Sequence, residues 1–380
     1  MQCYLLRKVS YQYTEKRKSK VTICSATAYI LDTSHHKKDI LMITKIPFII
    51  ITISFTILSC KGIEKEKTKE TVLFEKTMQH QDYIFSTLVS KNGKIVFEEY
   101  YNGKTKDSLC DVQSLTKGIM SILIGIAIDK EYIKNINEPI EKYFPEEFKN
   151  LTDNKKNTIT IEHLLNQTSG LSWKGYLEHQ EWLTNENPIS FVLKKNLENN
   201  PGEKYNYNSG ATHLLSVIIS RAYGNSTLDF ADQFLFSHLN IYDTNWQKRN
   251  KGYYDGSGLG LKMKPIDLMK IAQLLEKNGN WKGKQLVSKE WIQKLFDKNE
   301  KSSTKWGLRN SKHGFCWYQS EFKGNKIDYG MGYGGQFIIM IPSKKIIIVT
   351  THNHDTPNGI EQQIKFLNGK LPILIEKYDS

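Results

Sequence analysis

Cysteine is scarce in this chain, with five in 380 residues, at positions 3, 24, 60, 110 and 316. So few, so widely spaced, form neither a zinc motif nor a disulfide framework. The histidines also lack metal-ligand spacing, so no metal and no other cofactor is called for. No zinc-finger spacing and no arginine-rich arm interleaved with aromatics accompanies the formal charge of +13, whose basic residues are scattered. That argues against a nucleic-acid partner. The plainer meaning is a lysine-rich solubilising surface, which also suits anionic surroundings at a cell envelope. The glycine clusters at 252–260 and 330–335 lack the charged residue and helix of a phosphate loop, which excludes nucleotide binding. The first of them reads as a mobile or tightly turned loop.

A spanning helix needs about 20 apolar residues, and the run Ile46 to Leu58 is shorter than that. It has the size of the apolar part of an export signal, with Lys45 before it and Cys60 directly after Ser59. The order Ile57-Leu58-Ser59-Cys60 followed by a polar segment resembles a bacterial lipoprotein signal with a loose lipobox. It implies cleavage before Cys60, a lipid on Cys60, and a membrane-anchored, periplasm-facing or outer-membrane protein. An uncleaved anchor, or a chance cysteine after a cleaved signal, is the alternative. Met42 opens this signal, so residues 1–41 read as a start-site artefact or a disordered extension, 42–59 as the signal, 60–80 as a linker and 81–380 as the folded domain. Of the remaining cysteines, Cys110 reads as a buried small residue, and a Cys110–Cys316 disulfide stays open.

The domain opens with two β-rich runs, Tyr83 to Val89 and Lys94 to Tyr101, joined by the hairpin signal Asn92-Gly93. Helical spacing follows over Ser114 to Lys130, after a possible Thr160 cap through Leu164-Leu165, over Ala211 to Ala222, over Asp267 to Lys277, and after a Ser288 cap. Strand patterns return at His313 to Ser320, Lys326 to Gly330, Gln336 to Ile341 and Lys345 to Thr351, with a turn at 342–344 and closing helical segments within 359–378. The economical fold is α/β of the α+β kind. One antiparallel sheet is built from both ends (about 81–111 and 301–380), flanked by helices, with a mainly helical region (about 112–300) inserted.

Chemistry concentrates in three short motifs. Ser114-Leu115-Thr116-Lys117 sets a hydroxyl and an amine about one helical turn apart. A serine hydroxyl needs a base before it attacks, and Lys117 could be that base. Ser114 would also lie at a helix N-terminus, where free N–H groups favour developing negative charge. Taken alone, an S-x-x-K tetrad is common. Tyr207-Asn208-Ser209 lies in a loop that ends at a helix start, a rigid place for two hydroxyls; the bland alternative is a capping Ser209 beside packed Tyr205 and Tyr207. Tyr333-Gly334-Gly335 precedes a β-rich run, where glycine lets backbone approach a ligand.

Together these motifs resemble the serine β-lactamase and penicillin-binding-protein superfamily, in its class C-like branch of esterases, D-amino-acid peptidases and aminohexanoate-dimer hydrolases. The stretches DVQSLTKGIMSILIGIAIDK, TIEHLLNQTSGLSW, PGEKYNYNSGATHLLSVII, GLGLKMKPIDLMKIAQLLEKNG and GYGGQFIIMIP carry the resemblance, in that branch's order, from about residue 80 to about 355. It implies a β-lactamase/transpeptidase-like fold and a serine hydrolase acting on a small ester, amide, peptide or β-lactam-like substrate through an acyl-enzyme. Ser114 matches the nucleophile, Lys117 its base and Tyr207 the proton shuttle. The N–H of Gln336, on an edge strand, would join that of Ser114 in an oxyanion hole. Ser209, Tyr333, Gly334 and Gly335 match substrate-binding positions. Ser209 stands where the branch often has an asparagine that holds a substrate carbonyl or the lysine. Tyr333 stands where it has lysine or histidine, so the charge that would meet a β-lactam carboxylate is missing. These departures favour esters and small amides, and they motivate the alternative of a non-catalytic penicillin- or peptidoglycan-binding lipoprotein. Oligomeric state is left open.

Overall fold

The computed structural model describes residues 83–297, 300–301 and 306–379. The expected signal, Cys60 and the linker lie outside the described residues.

One antiparallel sheet organises the domain. Its strands are β1 (Ile84–Lys91), β2 (Lys94–Tyr100), β3 (Glu300–Lys301), β4 (Lys312–Gly314), β5 (Trp317–Phe322), β6 (Asn325–Gly332), β7 (Gln336–Ile341) and β8 (Ile346–His352). They lie in the order β2-β1-β8-β7-β6-β5-β4-β3. β1 pairs with β8, Leu88 opposite Val349, so both ends of the domain meet in one sheet, as the pattern of the sequence required. The β1–β2 turn places Asn92 and Gly93 at φ +52° and +75°, the two left-handed positions that an Asn-Gly hairpin turn demands.

The sheet's two faces follow from strand alternation. In β7, Phe337, Ile339 and Ile341 face the C-terminal helices with Phe366, Leu371 and Leu374, while Ile338 and Met340 join the core under the helical region. All six residues of β7 are buried, the mark of a strand covered on both faces.

Against the second face runs α1 (Leu115–Asp129), which is apolar nearly all round and buried from Leu115 to Ala127. Two glycines let tryptophans press onto it. A Cβ at Gly118 would lie 2.9 Å from Trp317, and one at Gly125 2.2 Å from Trp291. Both indole N–H groups end on Ser121, Trp291 on its carbonyl and Trp317 on its Oγ, each at 3.0 Å. These contacts fix the axis of α1 and therefore the place of its first residue.

The structure corrects several expectations. The run 313–320 is two strands, because Phe315 and Cys316 turn at φ +46° and +67°. Ser288 stands at a helix start without a side-chain capping bond; its N–H instead donates to Asp129 Oδ2 at 2.7 Å. The Cys110–Cys316 pairing, which the sequence left open, is not made: both are buried free thiols. A small sheet of Cys110–Asp111, Leu261–Met263 and Asn245–Trp246 was not foreseen, since two- and three-residue strands carry no readable period.

Candidate active site

Ser114 immediately precedes α1, with helical φ of −65° and no capping bond from its own hydroxyl. The approach to it is held rigidly. Asp111 Oδ1 accepts from the Gln113 N–H at 2.9 Å and from Gln113 Nε2 at 3.0 Å. Gln113 itself is left-handed, at φ +49°, a conformation that a non-glycine residue adopts only under constraint. Burial raises the Asp111 carboxyl pKa, against the opposing pull of the Gln113 N–H and of His354 and Lys262. The N–H groups of Leu115, Thr116 and Lys117 turn back onto the carbonyls of Val112, Gln113 and Ser114, whereas the Ser114 N–H has no acceptor among the described residues.

The Ser114 hydroxyl is free to meet two other groups. Lys117 Nζ lies 3.1 Å from Ser114 Oγ, and the Tyr207 hydroxyl donates to Ser114 Oγ at 2.8 Å. Lys117 is 3% exposed and sits 4.9 Å from the Tyr207 ring centroid. Its Nζ also donates to the Ser257 carbonyl.

Tyr207 arrives from a loop pinned at its neighbours, before helix α2 (Ser209–Tyr223). Asn208, not Ser209, caps α2, its side chain accepting from the Ala211 N–H at 2.8 Å. The Asn208 N–H donates to Gln167 Oε1 at 2.6 Å, and the Asn206 N–H to the Gln167 carbonyl at 2.8 Å. Gln167, left-handed at φ +61°, therefore clamps the loop on both sides of Tyr207. Ser209 is buried in the first turn of α2, while Lys117 Nζ bonds Ser114 Oγ and the Ser257 carbonyl instead.

The third motif is placed less as expected. Residues 332–335 form a tight turn closed by the Gly335 N–H on the Gly332 carbonyl at 3.3 Å. The Tyr333 ring lies over the start of the helix Gly359–Lys365, where a Cβ on Gly359 would come within 2.6 Å of it. Gln336 opens β7, an interior strand, so its expected place on an edge strand does not hold. Its side chain bonds the backbone of His352, at 2.9 Å to both N–H and carbonyl. α1 packs against both β6 and β7. The β5–β6 register stops at Tyr318 opposite Tyr329, so β6 outruns β5 by Gly330, Met331 and Gly332. A Cβ on Gly332 would lie 2.5 Å from the Val112 carbonyl, which brings this strand end against the approach to Ser114.

Sequence reasoning missed the loop 255–260, which it read as merely mobile or tightly turned. Asp255 is wholly buried, and its Oδ1 accepts from the Ser257 N–H, the Ser257 hydroxyl and the Gly258 N–H at 2.6, 2.7 and 3.1 Å. Gly258, at φ +108°, passes so close that a Cβ would lie 2.8 Å from both Lys117 Nζ and Ser114 Cα. The Asp-Gly-Ser-Gly string was a turn signal, but nothing in it pointed at Ser114. His179, also unforeseen here, is depressed to about 4 by burial and by the nearby Lys117 charge. Size does not mark this site: a cleft of about 760 Å³ opens at the other end of the sheet, beside Asn92, Met340 and Lys345. Among the described residues no cluster of ligand side chains suits a metal ion.

A buried lysine, a tyrosine hydroxyl and a helix-start serine, set beside an antiparallel sheet, define a β-lactamase-like protein. The chain belongs to the Beta-lactamase family, which it matches over residues 74–368. It is 28% identical over 189 residues to Protein flp of Staphylococcus aureus (strain MRSA252), covering 46% of this chain and 37% of that protein. The chain thus spans well under half the length of that relative. Among solved structures, a Bacillus anthracis protein provisionally assigned as a 6-aminohexanoate-dimer hydrolase superposes with TM-score 0.66 at 19% identity, over 80% of this chain and 82% of its own. EstCE1, a hydrolase with promiscuous acyltransferase activity, superposes with TM-score 0.62 at 13% identity, over 77% and 96%. At these identities the likeness is one of fold.

Proposed function

We propose that this protein is a serine hydrolase that cleaves a small ester or amide through an acyl-enzyme on Ser114. The observation that carries the reading is the convergence of Lys117 Nζ and the Tyr207 hydroxyl, from separate elements, on one serine oxygen at 3.1 and 2.8 Å. Lys117 takes the proton as Ser114 Oγ bonds to the substrate carbonyl carbon. The Ser114 N–H, lacking an acceptor among the described residues, is one donor to the resulting oxyanion. The second donor comes from the β6–β7 corner, Gly330 to Gln336. The outer edge of β6 is better placed than Gln336, because its pairing with β5 ends at Tyr329 and Gly332 abuts the Val112 carbonyl, beside Ser114. The carbon–oxygen or carbon–nitrogen bond then breaks, and the leaving group departs with a proton relayed through Tyr207. Water adds to the acyl carbon, gives up its proton along the same route, and releases a carboxylic acid and free Ser114.

Substrate choice follows from the third motif. Tyr333 carries no charge and its ring lies on Gly359, so this motif offers no cation to a β-lactam carboxylate. Short activated esters are expected to be cleaved with higher kcat/KM than cephalosporins. Fluorophosphonate labelling with mass mapping tests the mechanism: a modified Ser114 is expected, and an unlabelled Ser114 in folded protein refutes it. Parallel rates on p-nitrophenyl acetate and nitrocefin test the preference, which a higher efficiency on nitrocefin overturns.

An envelope address belongs to the same proposal and rests on Lys45, the apolar run and Cys60. Intact-mass analysis of the native protein is expected to show a lipid-modified Cys60 at the N-terminus. A lipid-free N-terminus would remove the anchor.

A further inference from the structure

The branch this chain resembles often steadies its lysine with an asparagine where Ser209 stands here. Lys117 instead donates to the Ser257 carbonyl, and the reason that carbonyl points at it is readable. The peptide between Ser257 and Gly258 is trans and planar, so its N–H and C=O point in opposite directions. Asp255 Oδ1 holds the Gly258 N–H at 3.1 Å, which turns the Ser257 carbonyl the other way, onto Lys117. Gly258, at φ +108°, is the kind of joint about which such a peptide could rotate.

The rest of the loop holds the aspartate in turn. Arg249 Nε meets Asp255 Oδ2 at 2.7 Å, an ion pair off hydrogen-bond alignment, in a site where Asp255 has no solvent exposure. A buried carboxylate without such a partner would be driven towards its neutral form. The Asp255 carbonyl takes the Trp246 indole N–H at 2.7 Å, its N–H donates to the Gln247 carbonyl at 2.9 Å, and the Gly256 N–H rests on His213 Nδ1 at 3.3 Å.

We propose that Asp255, held by Arg249, is a positioning residue that fixes the 257–258 peptide so that its carbonyl aims the Lys117 amine at Ser114. The inference rests on the serine-hydrolase reading for its catalytic consequence, but not for its geometry. Fixing one N–H of Lys117 on a carbonyl orients the remaining positions on nitrogen, and Ser114 Oγ then occupies one of them. Releasing the peptide frees the amine to swing, and displacement of a reacting group by about 1 Å costs on the order of a hundredfold in rate.

The test measures fluorophosphonate labelling of the full chain, per folded molecule, across pH, in wild type, Asp255→Ala, Asp255→Asn and Arg249→Lys. Asp255→Ala is expected to label about a hundredfold more slowly with a displaced pH midpoint. Asp255→Asn, whose amide oxygen can still take the Gly258 N–H, should fall between it and wild type, and Arg249→Lys should stay nearer wild type. A purely structural aspartate would lower thermal stability while leaving the labelling rate and pH midpoint of the folded fraction unchanged, and that result overturns the proposal. If Asp255→Ala does not fold, Asp255→Asn and Arg249→Gln decide by the same readout. A crystal structure of Asp255→Ala with the Ser257 carbonyl still on Lys117 also overturns it. Loss of that contact, with wild type itself unlabelled, would uphold the positioning and count against the hydrolase reading alone.

Discussion

Two glycines in one loop, two residues apart, should respond very differently to alanine. Gly258 has φ of +108°, and a Cβ there would lie 2.8 Å from Lys117 Nζ, 2.8 Å from Ser114 Cα and 2.9 Å from Ser114 Oγ. Ordinary contact begins at 3.4 Å, so the shortest of these must open by 3.4 − 2.8 = 0.6 Å. The backbone conformation adds about 1–3 kcal/mol of strain for a residue with a side chain. A shift of this size at the nucleophile and its base should slow acylation about 10- to 100-fold. Gly256 has no such φ, and its Cβ would press on Ser216 Cβ and the Thr212 carbonyl, both at 3.1 Å, and on His213 Cα at 3.3 Å, all in α2. Gly256→Ala should therefore cost about 1 kcal/mol of stability by crowding and leave acylation of the folded protein near the wild-type rate. The assay is a stopped fluorophosphonate time course at matched folded fraction, with melting curves beside it. Equal losses in the two variants, or a Gly258→Ala protein that acylates at full rate, would show that the loop does not abut the reacting groups.

Tyr207→Phe removes the hydroxyl 2.8 Å from Ser114 Oγ while keeping the ring, and should lower kcat by about 10²-fold or more with little change in melting temperature. Lys117→Arg should be at least as damaging, because a guanidinium does not give up its proton in a protein; an active variant in steady-state ester hydrolysis would show that only charge is needed there. Asn208→Ala should cost about 1 kcal/mol in denaturant melts through loss of the α2 cap, and Asn208→Ser, which can still cap, should recover most of it. Acid should destabilise the fold before the ordinary carboxylate range is reached. Burial depresses His213 to about 4, beside Asp255 and Arg249, and His352 to about 3, near Lys370, both from 6.5. Between those values and 6.5 the unfolded chain binds protons that the folded chain refuses, so this stability is whole above about 6.5 and is lost as pH falls, at roughly 1.4 kcal/mol per pH unit for each histidine. Urea melts from pH 7.5 to 5 should show that slope, and His213→Gln should reduce it.

What the sequence determined by itself is local. The Asn92-Gly93 hairpin, the apolar run of α1, the Thr160 cap and the β-rich runs of β7 and β8 all depend on residues near one another in the chain, and their physics is written in short windows. The spacing of Ser114 and Lys117 is of the same kind, since one helical turn makes them neighbours wherever the helix lies. Tyr207 was legible only because three motifs in a known order resemble a family. Nothing local says that a tyrosine 93 residues away donates to Ser114. Tertiary structure alone decided the rest. Asn208 rather than Ser209 caps α2, because Gln167 holds the Asn208 N–H and fixes where the helix begins. Gln336 became an interior residue because β7 is paired by β6 on one side and β8 on the other. The 255–260 loop came to lie on Lys117 because a buried carboxylate must gather donors, and besides Arg249 the donors within reach of Asp255 are the loop's own N–H groups and the Ser257 hydroxyl. Each of these outcomes turns on which distant backbone N–H or C=O finds a partner, and that is settled by the packing of whole elements rather than by any one stretch of chain.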